Sequence, residues 1–244
     1  MSEEARQQAI SDVNLGIAYT QEGNPTGALV VWERAVRRDP TNAEARLCLG
    51  QAYAALDRHA EAERHLREAV RLYEARVGQD ETLRASLAEA RNSLGVLLIN
   101  ADRAAEAVPM LQQVTAELTY TTPFLAWGNL GQALMRSGRV SESVTALERA
   151  VAIQPNFCVG WSRLGEARLR AHDLAHALEA LDRAAAVQAP GCDRIQEVYL
   201  NRAKVKIELH QPDRAREDLA RCIELAADTP VGRECAALSR SVAP

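Results

Sequence analysis

One frame of small and large residues recurs through the 244-residue chain and limits what it can build. Its clearest copy runs from Trp127 to Pro155. Leu130, Gly131, Leu134, Gly138, Ser143, Leu147, Ala150 and Pro155 follow Trp127 at offsets of 3, 4, 7, 11, 16, 20, 23 and 28. Helical spacing on either side of Gly138 describes two helices joined by a tight turn. Gly131 and Ser143 are small where the two helices must approach. Trp127, Leu130, Leu134 and Leu147 fill the seam between them. Pro155 cannot continue a helix, so the second helix ends before it. The frame glycine falls at Gly16, Gly50, Gly95, Gly131 and Gly165, and Ala203 takes its place in the last copy. The intervals are 34, 45, 36, 34 and 38 residues.

These residues and spacings resemble the tetratricopeptide repeat (TPR), a helix-turn-helix of about 34 residues. The resemblance implies an all-α fold, a right-handed TPR superhelix of six helix-turn-helix repeats closed by a short C-terminal capping helix. Residues 1–244 then form a single solenoid domain. The repeats run over 9–42, 43–76, 88–121, 124–157, 158–191 and 196–229, with the cap at 230–241. Stacked repeats share one continuous core, and a terminal repeat needs a cap for its outer face.

Two places break the rhythm. The second helix of repeat 2 keeps helical spacing through Leu66, Val70 and Tyr73, with Gly78 as the first breaker. Repeat 3 therefore starts about 11 residues late, and Asp80 is a candidate N-cap for its first helix. The exit of repeat 3, Leu118-Thr119-Tyr120-Thr121-Thr122-Pro123-Phe124, is β-branched and aromatic and predicts an extended connection.

Composition narrows the function classes. Formal charge is −4 with both signs interspersed, so no basic stripe argues for nucleic acid. No run of 18 apolar residues argues for a membrane span. The five cysteines include no CxxC pair, so a zinc site is not expected. Four of them lie from Cys158 onward, and the expectation is one disulfide fastening the cap, Cys192 with Cys235, the alternative being Cys222 with Cys235. No Gly-rich phosphate loop, GxSxG or HExxH pattern is present. His172 and His176 are four apart, but His172 falls in a turn, and a solvated pair outweighs a metal site. No catalytic residue, metal or cofactor is therefore expected, and the chain reads as a non-enzymatic binding scaffold.

A TPR array binds partners in the groove lined by its first helices. Taking the frame glycine as position 8, positions 2, 5, 9, 12 and 13 line that groove. They supply Ile10, Val13 and Ile17, then Leu47, then Asn92 and Val96, then Leu125 and Gln132, with Asn129 as a flanking amide. An exposed aliphatic strip of this kind marks a partner site. A clamp for a chain-terminal carboxylate, built from Lys and Asn on successive first helices, is not expected. The only lysines are Lys204 and Lys206, and Val13 and Ile17 stand at the first clamp positions.

Further runs carry a narrower resemblance. Glu89-Ala90-Arg91-Asn92-Ser93-Leu94-Gly95, the stretch from Arg103 to Leu111, Leu118-Thr119-Tyr120 and Asn129-Leu130-Gly131 are similar to the type IV pilus biogenesis lipoproteins of the PilF/PilW/Tgl group. That resemblance implies a pilotin on the periplasmic side of the outer membrane. Its partners would be pilus secretin subunits, held by an amphipathic segment while they insert and multimerise. Membrane attachment would come only through a lipid anchor not present in this sequence, since Met1-Ser2-Glu3-Glu4 shows neither signal segment nor lipobox. The alternatives are a cytoplasmic TPR adaptor, or a chaperone-like regulator binding a peptide or helix in the same groove.

Overall fold

The computed structural model describes residues 2–242. Those residues form thirteen α-helices, two 3-10 turns and no strand. They group into two compact units, one ending at Thr122 and the other beginning at Pro123. The first unit holds α1 (Glu3–Gln21), α2 (Pro25–Arg38), α3 (Ala43–Ala55), α4 (His59–Val77), α5 (Arg84–Asn100) and α6 (Ala104–Ala116). The second holds α7 (Pro123–Arg136), α8 (Val140–Ile153), α9 (Cys158–Arg170), α10 (Leu174–Ala186), α11 (Gln196–Glu208), α12 (Pro212–Leu225) and α13 (Pro230–Ser241). Odd-numbered helices up to α11 open each pair. Within a unit the opening helices lie against one another, and α2, α4, α8 and α10 each pack against their own partner and the next opening helix.

The hairpin geometry follows from the frame. A Cβ built on Gly131 would lie 2.5 Å from Leu147 Cγ, and the same test gives 2.7 Å for Gly50 against Leu66 and 2.4 Å for Gly165 against Leu181. In repeat 1 the facing side chain is Trp32, whose indole Nε1 donates to the Val13 carbonyl at 3.2 Å. Ser143 is fully buried, and its hydroxyl donates to the Gly131 carbonyl at 2.7 Å, so its polarity is satisfied at the contact itself. Each turn between paired helices carries one left-handed residue: Gly23, Asp57, Asp102, Gly138, His172 and His210. Their spacing repeats that of the frame glycines.

Local capping sets the helix starts. Asn24 and Asn42 accept from the amides of Gly27 and Ala45, each at 2.9 Å, and Pro25 opens α2 without losing a needed donor. The extra length of repeat 2 falls in α4, which has 19 residues against 14 in α2. Asp80 caps the 3-10 turn Glu81–Leu83 rather than α5, accepting from Thr82 N at 3.0 Å. The exit of repeat 3 is a turn held by the Glu117 carboxylate, which accepts from Thr119 N at 3.0 Å.

The cysteine pairing takes the alternative at the cap, Cys222 with Cys235, and adds a second bond that the expectation of a single disulfide did not include. Cys192 is bonded to Cys158, not Cys235, and Cys235 is bonded to Cys222. The reason is the repeat itself. Cys158 opens α9 and Cys192 sits just before α11, one 34-residue step later, so adjacent opening helices bring them together with Cα atoms 5.8 Å apart. Cys235 lies inside α13, which packs on α12 beside Cys222. Cys48 remains a free thiol, and burial pushes its pKa up to about 12.

His65 on α4 is a buried titratable group. Burial, then the Arg46 and Arg64 guanidiniums, pull its pKa down to about 4. Arg46 Nη1 and Arg64 Nη2 stand 3.3 and 3.2 Å from its two ring nitrogens, and a neutral ring accepts from just one of them.

Three outcomes follow from this packing. Gly131→Val should destabilise the second unit by about 2 kcal/mol in urea unfolding, because the added carbons must displace Leu147 at its branch point. Non-reduced protein should titrate one thiol per chain after denaturation, and reduction should cost about 3–4 kcal/mol per disulfide by loop-closure entropy. Because His65 is neutral when folded and protonates more readily when unfolded, stability should fall as pH drops from about 6.5 toward 4, by at most about 3 kcal/mol. His65→Leu should flatten that slope in pH-dependent denaturant midpoints.

Candidate functional site

The surface of each unit made by its opening helices is where a partner would lie, and the frame decides which residues reach it. Position 5 does not. Val13 is 1% exposed and Leu47 is 7%, and both sit in the seam between neighbouring opening helices. Val13 packs with Ala9, Ala35 and Ala45. Asn92 is buried at the same position, and so are Gly128, Ser162 and Leu200 in the second unit. Opening helices touch one another along this line, which removes Val13, Leu47 and Asn92 from the accessible face.

The remaining expected residues stay at the surface. Ile10 is 46% exposed, and Ile17 and Val96 are half-buried. A cleft of about 640 Å³ opens beside Ile10, with Leu72, Tyr73, Arg76 and Leu83 among its walls. Further along the first unit the face is closed by its own hydrogen bonds. Gln51 Nε2 donates to Glu89 Oε1 at 3.0 Å and to Ser93 Oγ at 2.9 Å. The Tyr120 hydroxyl donates to the other oxygen of Glu89 at 3.1 Å. Burial, chiefly, raises the Tyr120 pKa to about 12, so it acts as a donor at any ordinary pH. The first unit therefore offers aliphatic side chains beside a polar network already satisfied within itself.

In the second unit Leu125, Asn129 and Gln132 on α7 are half-buried, as expected of lining residues. The same positions continue on α9 and α11, where Val159, Arg163, Glu166 and Lys204 also reach the face. Val159 is exposed, and it repeats the aliphatic choice made at Ile10 and Leu125. Arg163 Nη1 donates to the Gly128 carbonyl at 3.2 Å and to Asn129 Oδ1 at 3.3 Å. Lys204 pairs at 2.7 Å with Glu234 of α13, so the capping helix extends the row of opening helices. Counting positions 2, 6 and 9 through every repeat would have found all four residues. The frame carries the signal, and position 6 enters the expectation only through Asn129.

No group of three metal-ligating side chains occurs among the described residues. His176 Nδ1 lies 2.8 Å from Asp173 Oδ1 while His172 occupies the turn, so the two rings serve different local contacts. No described helix is long and apolar enough to cross a membrane. The arrangement offers binding surface.

Comparison with known proteins agrees with this architecture. Three stretches match tetratricopeptide-repeat families: residues 13–77, 124–157 and 196–229. No curated protein matches the sequence significantly. Among solved structures, PilW, described as a widely conserved type IV pilus biogenesis factor, superposes with a TM-score of 0.74 at 21% identity, over 93% of this chain and 98% of its own. PilF of Pseudomonas aeruginosa gives 0.72 at 18% identity, over 97% of this chain and 100% of its own. The APC/C hetero-tetramer Cut9-Hcn1 gives 0.78 at 16% identity, with 97% of this chain matching 43% of that one. At such identities the likeness is one of fold. The three matched stretches together span more than half of the sequence, and the chain belongs to the tetratricopeptide-repeat proteins.

Proposed function

We propose that this TPR scaffold is a pilotin, which escorts subunits of a type IV pilus secretin to the outer membrane and promotes their multimerisation. The observation that supports the reading is the end-to-end match in length and fold with PilW and PilF, 98% and 100% of whose chains are covered. Cut9-Hcn1 superposes as well in fold but is matched over 43% of its length. The two disulfides add weight, because such bonds persist in oxidising compartments such as the periplasm. The Leu118-Thr119-Tyr120 connection and the Asn129-Leu130-Gly131 entry to repeat 4 carry the resemblance to that group.

The physical task is protection. A secretin subunit crosses the periplasm carrying segments destined for lipid, and exposed strand edges and apolar faces of that kind aggregate. Ile10, Ile17 and Val96 on the first unit offer aliphatic cover to an amphipathic segment, with polar contacts from the walls of the cleft beside Ile10. On the second unit Leu125 and Val159 offer cover of the same kind, with Gln132 as a polar contact. Insertion into the membrane competes for the same apolar face, so release needs no nucleotide.

Ile10→Asp combined with Ile17→Asp tests this. Neither side chain is fully buried, so the helices should survive, as circular dichroism would confirm. Heat-resistant secretin multimers should fall by roughly tenfold or more, since two carboxylates facing an apolar segment cost several kcal/mol. Normal multimer levels in a folded double variant would remove the first unit's face from the mechanism. Normal levels together with no co-purification of secretin would leave a general TPR adaptor as the reading.

A further inference from the structure

The buried cations of the second unit follow one rule, with a single departure. Arg168, whose side chain is 16% exposed, pairs with Glu148 at 2.8 Å. Arg202, 19% exposed, is held by Asp218 and Asp182. Lys206 also pairs with Asp218, at 2.8 Å. Each is a cation kept out of water by a carboxylate, which is the arrangement burial demands. Arg163 departs from it. Its hydrogen-bond acceptors are the Gly128 carbonyl and the Asn129 side-chain oxygen, both neutral and both reached through Nη1. Glu166, one turn along α9, is instead paired with Arg170 at 2.8 Å.

The surroundings hold the guanidinium in this state. Gly128 has no side chain to fill the approach, and an added Cβ there would lie 2.8 Å from Phe157 and 3.8 Å from Arg163 Nη1. The two bonds through Nη1 fix the fork against α7. Burial pulls the Arg163 pKa down to about 10, so the group is still charged at neutral pH. A fixed, charged, half-dehydrated fork whose donors meet neutral acceptors is a receptor for a planar anion, and a carboxylate matches it bidentately. The flanking surface is aliphatic, with Val159 exposed one turn before Arg163 and Leu125 one turn before Asn129.

We propose that Arg163 is the carboxylate-recognising point of the partner-binding face, and that it selects amphipathic segments carrying an Asp or Glu side chain at the edge of their apolar stripe. The proposal rests on the reading of the opening-helix face as the binding surface, and it adds the chemistry of the partner. Glu166 favours the Arg163 charge from nearby and Arg136 opposes it, and the planar fork matches one carboxylate better than a tetrahedral phosphate.

The test uses the full chain and two short, fluorescein-labelled amphipathic peptides, amidated at the C-terminus. They are identical except for Glu or Gln at the border of the apolar stripe, and affinities are read by fluorescence anisotropy. A third peptide, the Gln form with a free C-terminal carboxylate, separates an internal from a terminal acid. The Glu peptide should bind about tenfold more tightly than the amidated Gln peptide, the expected gain for a charge-assisted bidentate contact. In Arg163→Gln, with fold checked by circular dichroism, that ratio should fall to about one. Val159→Asp should weaken both amidated peptides. Equal binding of Glu and Gln peptides by the unaltered chain overturns the proposal and leaves the face reading intact. Failure of all three peptides to bind overturns both. A preference confined to the free C-terminal carboxylate, an unchanged ratio in Arg163→Gln, or undiminished binding by Val159→Asp overturns the Arg163 assignment.

Discussion

The contact of one helix backbone with a leucine or tryptophan sixteen residues later sets everything else. Gly50 on Leu66, Gly95 on Leu111, Gly131 on Leu147 and Gly165 on Leu181 repeat it, and Gly16 meets Trp32 in the same way. Because that contact and the left-handed turn residue stand at fixed offsets, each hairpin is built alike. Variation in repeat length is confined to the connections between hairpins. The intervals of 45, 36 and 38 arise in the extension of α4 with its 3-10 turn, in the link at 117–122 and in the link at 187–195. A rigid hairpin with adjustable links is what a solenoid needs, since each pair must bury the seam of the next. Asp57, Asp102, His172 and His210 adopt a backbone conformation that favours glycine, and the close packing on both sides of the turn holds them there.

Ends behave differently from the middle. The frame leucine before each glycine is buried at Leu49, Leu94, Leu130 and Leu164, but Leu15 is 39% exposed because no helix precedes it in the described array. Repeat 1 also replaces the aromatic of Trp127 and Trp161 with Asp12. That carboxylate is nearly buried, and burial alone would raise its pKa, yet the Arg34 and Arg38 guanidiniums hold it below the usual range. At the other end α13 covers repeat 6, and the Cys222–Cys235 bond fastens it. The ends are thus stabilised by ion pairing at one and by a covalent link at the other.

The repeating architecture was legible because glycine, alanine and leucine each answer a steric demand that recurs. The face was legible only in part. Val13 and Leu47 look like lining residues when one repeat is considered alone, since nothing in a single helix shows that its neighbour lies against position 5. Comparing repeats reveals it: Val13, Leu47, Asn92, Gly128, Ser162 and Leu200 include no charged residue. Positions 2 and 9, by contrast, admit Glu44, Glu89, Glu166 and Lys204, charged residues of the kind that solvent-facing positions take. The partner of Cys192 differs from the expectation for a related reason, while Cys222 with Cys235 is the alternative already open in the sequence. Antiparallel pairing within one hairpin suggested Cys192 with Cys235, whereas the lateral stacking of equivalent helix starts joins Cys158 to Cys192.

Once the packing positions are taken by the frame, few side chains remain to distinguish one TPR surface from another, and the two units use theirs differently. In the first, Gln51, Ser93 and Tyr120 turn their donors onto Glu89, so the polar groups are satisfied internally and the aliphatic residues are what a partner meets. Affinity from such a surface is broad, because apolar contact discriminates poorly among side chains of similar size. In the second, Arg163 keeps its charge against neutral oxygens, and a partner lacking an acid leaves that charge half-dehydrated. Discrimination grows where an unmatched partner carries a penalty, and one guanidinium supplies that penalty without disturbing the hairpins that position it.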